Sequence, residues 1–228
     1  MMQLTKSGTI VAETAEDLDR LRVQFDEQHC IRFRGLLEPQ LLCALQQQIE
    51  RAEFYERVHE IVGPSPPIDM CMKDNSVSEA LHFVVNDREF VRVVEKVTGC
   101  GTIGSFFGSV YRLAPTLGHY DSWHSDVIEN RMLALSMNLS TAVYRGGVLQ
   151  IRNEESGQIV HEVANTSPGD AIVFRIAPYL KHRVSPIEGT TPRTAFAGWF
   201  YPQPEYHAWL KQRLAATECE HNGATGSV

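Results

Sequence analysis

Residues 146–176 read GGVLQIRNEESGQIVHEVANTSPGDAIVFRI, and their pattern decides the fold. Three short runs rich in β-branched residues, VLQIRN, QIVHEVA and AIVFRI, are separated by Glu155-Ser156-Gly157 and by Ser167-Pro168-Gly169-Asp170. Gly and Pro-Gly at those places are turn chemistry, and apolar runs this short between turns are strands. The pattern continues on both sides. TIGSFFGSVYRL (102–113) and RMLALSMNLS (131–140) come before, HRVSPIEG (182–189) and RTAFAGWFYP (193–202) after, with further turns at Arg145-Gly146-Gly147 and Glu188-Gly189-Thr190. About seven or eight short strands so spaced predict a sandwich or barrel, and a double-sheet jelly roll fits the count.

Upstream of Gly101 the chain reads mostly helical. Thr14 is placed to cap a helix from Ala15, with Asp17 at the third helical position, and Leu18, Leu21 and Phe25 share one face. CIRFRGLL (30–37) alternates as a short strand. Glu38-Pro39 opens a second helix with Pro39 at its first position and Leu41, Leu42, Leu45, Ile49 and Ala52 as its apolar stripe. GPSPPID (63–69) reads as a loop, and a helical stretch from Val77 to Val97, broken near Asn86-Asp87, stops at Gly99. Helices first and strands second predict an α+β single domain over residues 1–215. It comprises a helix-rich part (1–100) packed on a jelly-roll core (101–202), then a C-terminal helix (203–215). The small, polar tail 216–228 is expected to be flexible.

Of 228 residues 43% are hydrophobic and 21% charged, enough apolar material for a sizeable core. The net charge of −7 weighs against a nucleic-acid partner. Cys30, Cys43, Cys71, Cys100 and Cys219 are odd in number and never form a CxxC pair, which reads as reduced thiols. No apolar run approaches the ~18–20 residues that span a membrane, and the first residues lack a signal-peptide core. The expectation is a soluble cytoplasmic protein with no membrane partner; its oligomeric state stays open.

His124-Ser125-Asp126 puts two ligand side chains at i and i+2, on one face of an extended chain. His182 offers a third. Two imidazoles and a carboxylate make the facial triad of non-haem iron(II) oxygenases. A single H-x-D triplet is also an ordinary polar turn, and the chain holds a second, His119-Tyr120-Asp121. Arg193 adds weight. It shares a strand face with Ala195, Ala197 and Trp199, and an arginine facing a barrel interior needs an anion, for which its planar fork suits a carboxylate.

Taken together, SVYRLAP, WHSD, LSMNLS, GGVLQIR, SPGDAIVF, KHRV and RTAFAGWF resemble the iron(II)/2-oxoglutarate-dependent oxygenases, in their prolyl 4-hydroxylase-like branch. The resemblance covers Phe106 to Pro202 well and the helical part loosely. It implies His124, Asp126 and His182 as iron ligands, Arg193 on the C5 carboxylate of 2-oxoglutarate, and Tyr111 and Asn138 as further co-substrate contacts. Asn138 departs from the tyrosine some relatives place there. Asp126, not Asp121, stands at the family's spacing from the strand at Leu133, which leaves His119 and Asp121 at the mouth of the site. A carboxylate in the triad implies hydroxylation over halogenation. The implied enzyme is a dioxygenase using Fe(II), 2-oxoglutarate and O2 on a small polar molecule, such as an amino-acid derivative or metabolite. A peptide hydroxylase, a cupin-type metalloenzyme without 2-oxoglutarate and a non-enzymatic jelly-roll module are the alternatives. Residues 65–77 and 114–123 are the expected lids. Arg152 is expected to face solvent, His161 to lie at the surface, Asp170 to be a turn residue and Trp199 to be core near the co-substrate.

Overall fold

The computed structural model describes residues 2–58, 68–73, 76–115, 122–128, 130–164 and 167–223, with side chains as far as 215. Two strands, β1 (Met2–Thr5) and β2 (Gly8–Val11), open the chain as an antiparallel hairpin that buries Leu4. Helix α1 (Ala15–Gln28) starts in the expected capping box: Asp17 N–H donates to Thr14 Oγ1 at 3.2 Å and Thr14 N–H to Asp17 Oδ2 at 2.9 Å. Strand β3 (Cys30–Phe33) and helix α2 (Pro39–Arg51) follow, with Leu41, Leu45 and Ile49 buried. Next come β4 (Phe54–Val58) and β5 (Ile68–Met72), paired antiparallel.

The predicted break between two helices is observed. α3 (Ser76–Val85) and α4 (Arg88–Thr98) are separated by Asn86-Asp87. Asp87 caps α4 by accepting Glu89 N–H at 3.1 Å. The Asn86 amide bonds both ways with Phe106, at 3.0 Å to its carbonyl and 2.7 Å from its N–H. That bond ties the helix pair to β6 (Ser105–Leu113). The remaining strands are β7 (Leu133–Asn138), β8 (Arg145–Gly146), β9 (Val148–Asn153), β10 (Ile159–Ala164), β11 (Ala171–Arg175), β12 (Leu180–Val184), β13 (Ile187–Glu188) and β14 (Arg193–Tyr201).

These strands form a seven-stranded sheet ordered β3-β11-β7-β14-β6-β5-β4, a three-stranded sheet β10-β9-β12 and the short pair β13-β8. A reciprocal pair of backbone bonds, 3.0 Å each, joins His124 to His182 and extends the small sheet past β12. The architecture is the double-stranded β-helix expected from the sequence. Side chains of β14 alternate. Phe196 and Phe200 enter the large core with Leu81, Phe90 and Val94 of the helices, while Arg193, Ala197 and Trp199 line a cavity between the sheets.

Three readings change. Ile68 and Asp69, expected in a loop, belong to β5, because their partner strand lies across residues 59–67 and long-range pairing leaves no local signal. The helix-rich half therefore holds five strands as well. The last helix, α5, runs from Tyr206 to Gly223 and so continues past residue 215. AATECEH contains no proline or glycine to stop it. No helix among the described residues is long and apolar enough to cross a membrane.

Candidate active site

A cavity of about 720 Å³ lies between the two sheets. His124 and Asp126 enter from the segment beside β12, and His182 from β12 itself. The ligand atoms of the three lie within 4.8 Å of one another. His182 Nε2 is 3.4 Å from Asp126 Oδ2, and His124 Nε2 is 3.8 Å from Oδ1. His124 Nδ1 lies 2.7 Å from the Ser122 carbonyl, which can only accept. The ring proton therefore sits on Nδ1 and the Nε2 lone pair is left for the triad. The His182 ring is packed edge-on to Phe174, with centroids 4.7 Å apart. Burial pushes the Asp126 carboxyl up, but His182, His124 and the Trp199 N–H outweigh it and hold it down at about 2. One carboxylate and two imidazole nitrogens, converging at a cavity wall, form a donor set that fits iron(II).

Trp199 does more than fill core. Its Nε1–H donates to Asp126 Oδ2 at 2.6 Å. Arg131 stacks over the indole at 3.6 Å and brings Nη1 to 3.4 Å from Asp126 Oδ1.

Arg193 starts β14 at the opposite end of the cavity and is only 3% exposed. Its Nη1 donates to the Tyr111 hydroxyl and its Nη2 to Ser136 Oγ at 2.8 Å. Tyr144, also buried, is its third hydroxyl partner. All three are neutral, and no carboxylate among the described residues contacts it. Its Nε is buried with no hydrogen-bond partner. A fully buried guanidinium held by neutral hydroxyls, with a donor unused, is poised for a carboxylate. Gly147 makes room for it. A Cβ there would lie 2.7 Å from Tyr144 and 3.2 Å from Arg193 Cδ, and its φ of +61° also favours glycine.

Of the expected site residues, His124, Asp126, His182, Tyr111 and Arg193 line one cavity. Asn138 is buried but does not line it; its Oδ1 accepts the Ser140 N–H at 2.9 Å. His119 and Asp121 lie outside the described residues, as do 65–67, 74–75 and 116–121 of the two expected lids. From those same stretches Asp69 and Trp123 do line the cavity.

Ser136, Tyr144 and Arg131 were not anticipated. Ser136 was findable as the one hydroxyl in the apolar run LALSM. Tyr144 lies outside every strand, and no spacing marks it. Arg152 corrects the solvent reading, since its guanidinium stacks 4.4 Å from the Trp123 ring. Asp170 is more than a turn residue: buried, it accepts from Arg32 at 2.6 Å and from Gly35 N–H at 2.7 Å, fastening β3 to the sheet.

Residues 108–201 match the family model of the 2OG-Fe(II) oxygenase superfamily. The matched segment runs from β6 to the end of β14 and takes in Tyr111, the triad and Arg193. The family match, together with the structural neighbours, indicates a 2-oxoglutarate-dependent oxygenase, and that family's cofactors are Fe(II), 2-oxoglutarate and O2. Among solved structures it is similar to a 2OG-Fe(II) oxygenase family oxidoreductase from Burkholderia pseudomallei, with TM-score 0.63 and 14% identity over 86% of this chain and 95% of that one. A prolyl-4-hydroxylase from Pseudomonas putida aligns with TM-score 0.57 and 16% identity over 82% and 100%. A Trichoplax adhaerens prolyl hydroxylase, solved with a hypoxia inducible factor peptide fragment, aligns with TM-score 0.58 and 14% identity over 84% and 94%. At such identities the likeness is one of fold. No curated protein matches.

Proposed function

We propose that this oxygenase hydroxylates an unactivated C–H bond of a small polar molecule, an amino-acid derivative or metabolite, using His124, Asp126 and His182 for iron and Arg193 for 2-oxoglutarate. One observation carries the residue assignment: the triad and a buried guanidinium with an unused donor share a single cavity. When bound, iron(II) and 2-oxoglutarate supply the oxidising power that turns C–H into C–OH, with dioxygen consumed and succinate and carbon dioxide released.

The chain's own residues do the positioning. Arg193 anchors the far carboxylate, and Tyr111, Ser136 and Tyr144 fix the plane of its fork. Ser122 sets the His124 tautomer, and the Trp199 N–H orients Asp126. Asp126 would hold the iron with a carboxylate where a halogenase needs room for halide, which supports hydroxylation. Ala197, on the same strand face as Arg193, leaves room where a larger side chain would fill the cavity. Asn138 acts here as a positioning residue, holding the turn after β7 through Ser140. The small-molecule reading is supported by the cavity's size, about 720 Å³; the prolyl hydroxylase seen with a peptide makes peptide hydroxylation the alternative to test.

The test is succinate formation from 2-oxoglutarate under air. It should require Fe(II), rise when the substrate is present in a metabolite library, and vanish in Asp126→Ala. Succinate release that survives Asp126→Ala would exclude this triad.

A further inference from the structure

The described walls of the cavity carry Arg57, Arg131, Lys181 and Arg193 against Asp69 and Asp126. Most of these charges are answered. Arg57 and Asp69 form a closed fork-to-fork pair, with bonds of 3.0 and 2.7 Å. Lys181 reaches Glu154 at 2.8 Å. On the reading above, the iron dication and the 2-oxoglutarate dianion cancel, which leaves the Arg131 and Arg193 cations against Asp126. Summed over these wall groups one positive charge is left, and the cation beside the iron ligands is Arg131, in a chain whose overall charge is −7.

Arg131 is built as a docking group. Its one acidic contact among the described residues, Asp126 Oδ1 at 3.4 Å, is long beside the ~2.7–2.9 Å of a good charge-assisted bond, and that carboxylate already accepts from Trp199. Its Nε is buried and has no hydrogen-bond partner among the described residues. Its side chain is 17% exposed, and stacking on Trp199 fixes the guanidinium plane. A desolvated fork with an idle donor, next to the iron ligands, calls for a planar or tetrahedral oxyanion. The rim beside it is apolar. Val127 and Ile128 are about half exposed, and Trp123 is held by Arg152 and Arg183 stacked at 4.4 and 4.7 Å.

We infer that the substrate of this oxygenase is an amphipathic oxyanion whose carboxylate or phosphate head docks on Arg131 and whose apolar body covers Trp123 and Ile128. The inference rests on the iron and 2-oxoglutarate assignment. Arg131 acts by binding substrate, so its removal affects anionic ligands alone.

The experiment uses the full chain loaded anaerobically with Fe(II) and 2-oxoglutarate. Matched probes are phenylacetate, phenyl phosphate and phenylacetamide, with N-acetyl-leucine and its amide as a second body. Binding is read by saturation-transfer NMR and by perturbation of the metal-to-ligand charge-transfer band. Acids or phosphates should bind and amides should not, and the preferred arm identifies the head group. Arg131→Gln should weaken the anion by roughly 10- to 100-fold, the loss of one or two charged hydrogen bonds. Its charge-transfer band with 2-oxoglutarate should persist, and Arg131→Lys should restore part of the binding. If the Gln variant forms no band, the acid-to-amide ratio of the Lys variant decides, and a ratio equal to wild type overturns the inference. Amides that bind as well as acids, a panel in which no anion binds, or unchanged anion affinity in Arg131→Gln also overturn it. Failure of the wild-type band removes the underlying cofactor assignment instead, and the inference with it.

Discussion

Replacing Arg193 with methionine should separate two quantities that usually fall together. The guanidinium is buried among Tyr111, Ser136 and Tyr144, with no acid beside it in the described structure. Without co-substrate it is a desolvated charge held only by neutral hydroxyls, an arrangement that contributes little to stability and often costs some. With co-substrate it makes two charge-assisted bonds, worth about 1.5–3 kcal/mol each. Their loss amounts to about 3–6 kcal/mol, a 10²- to 10⁴-fold weaker 2-oxoglutarate affinity at about 1.4 kcal/mol per decade. Thermal unfolding with and without 2-oxoglutarate reads both effects. Co-substrate at a hundred times its Kd adds about 2.7 kcal/mol to the wild type, or roughly 5–10 °C for a domain of this size. Arg193→Met should lose that increment while its apo Tm stays within a few degrees of wild type or rises. A variant whose apo protein is badly destabilised but which still gains the full increment would refute the reasoning, because Arg193 would then be structural.

Three further predictions concern its surroundings and the core. Trp199→Phe removes the 2.6 Å N–H bond to Asp126 while keeping an aromatic ring, and iron affinity measured by competition with a chelator should drop by about 10- to 100-fold. Gly147→Ala places a Cβ 2.7 Å from Tyr144 and Ile187 at a φ of +61°, so it should cost about 2–4 kcal/mol in urea denaturation and weaken 2-oxoglutarate as Arg193 is displaced. His82 shares its Nε2 with the Gly108 backbone at 2.9 Å, and burial pushes its pKa below the ordinary 6.5, with Glu79 raising and Arg213 lowering it further out. The unfolded chain then binds this proton more readily than the folded one. The contribution is present above about pH 6.5 and is lost as pH falls below it, by at most about 1.4 kcal/mol per pH unit. Denaturation at pH 7.5 and about 5.5 should show that loss in the wild type and less of it in His82→Gln; an equal loss in both would place it elsewhere.

The sequence reads well where the physics is local. Thr14 and Asp17 are three residues apart, and both capping bonds follow from that spacing. Period-two alternation from Arg193 to Trp199 carries the arginine and the two alanines to one face, because a strand has no other option. His124 and Asp126 are legible for the same reason. What was hidden depends on contacts between distant segments. β4 and β5 meet across residues 59–67, and each is too short and too mixed to read alone. Arg152 looks like a surface cation until Trp123 is brought over it from the segment before His124. Arg131 precedes β7 by two residues and has no pattern of its own; its place is set by Trp199, far along the chain. Asn138 follows the alternation of β7, yet the turn beyond the strand claims its side chain.

Anaerobic titration of Fe(II) and then 2-oxoglutarate into the purified chain is the most direct measurement. A weak visible metal-to-ligand charge-transfer band should appear only when both are present, be lost in Asp126→Ala, and require far higher 2-oxoglutarate in Arg193→Met. Iron that binds without producing the band would contradict chelation of 2-oxoglutarate at His124, Asp126 and His182, and with it the function proposed for this cavity.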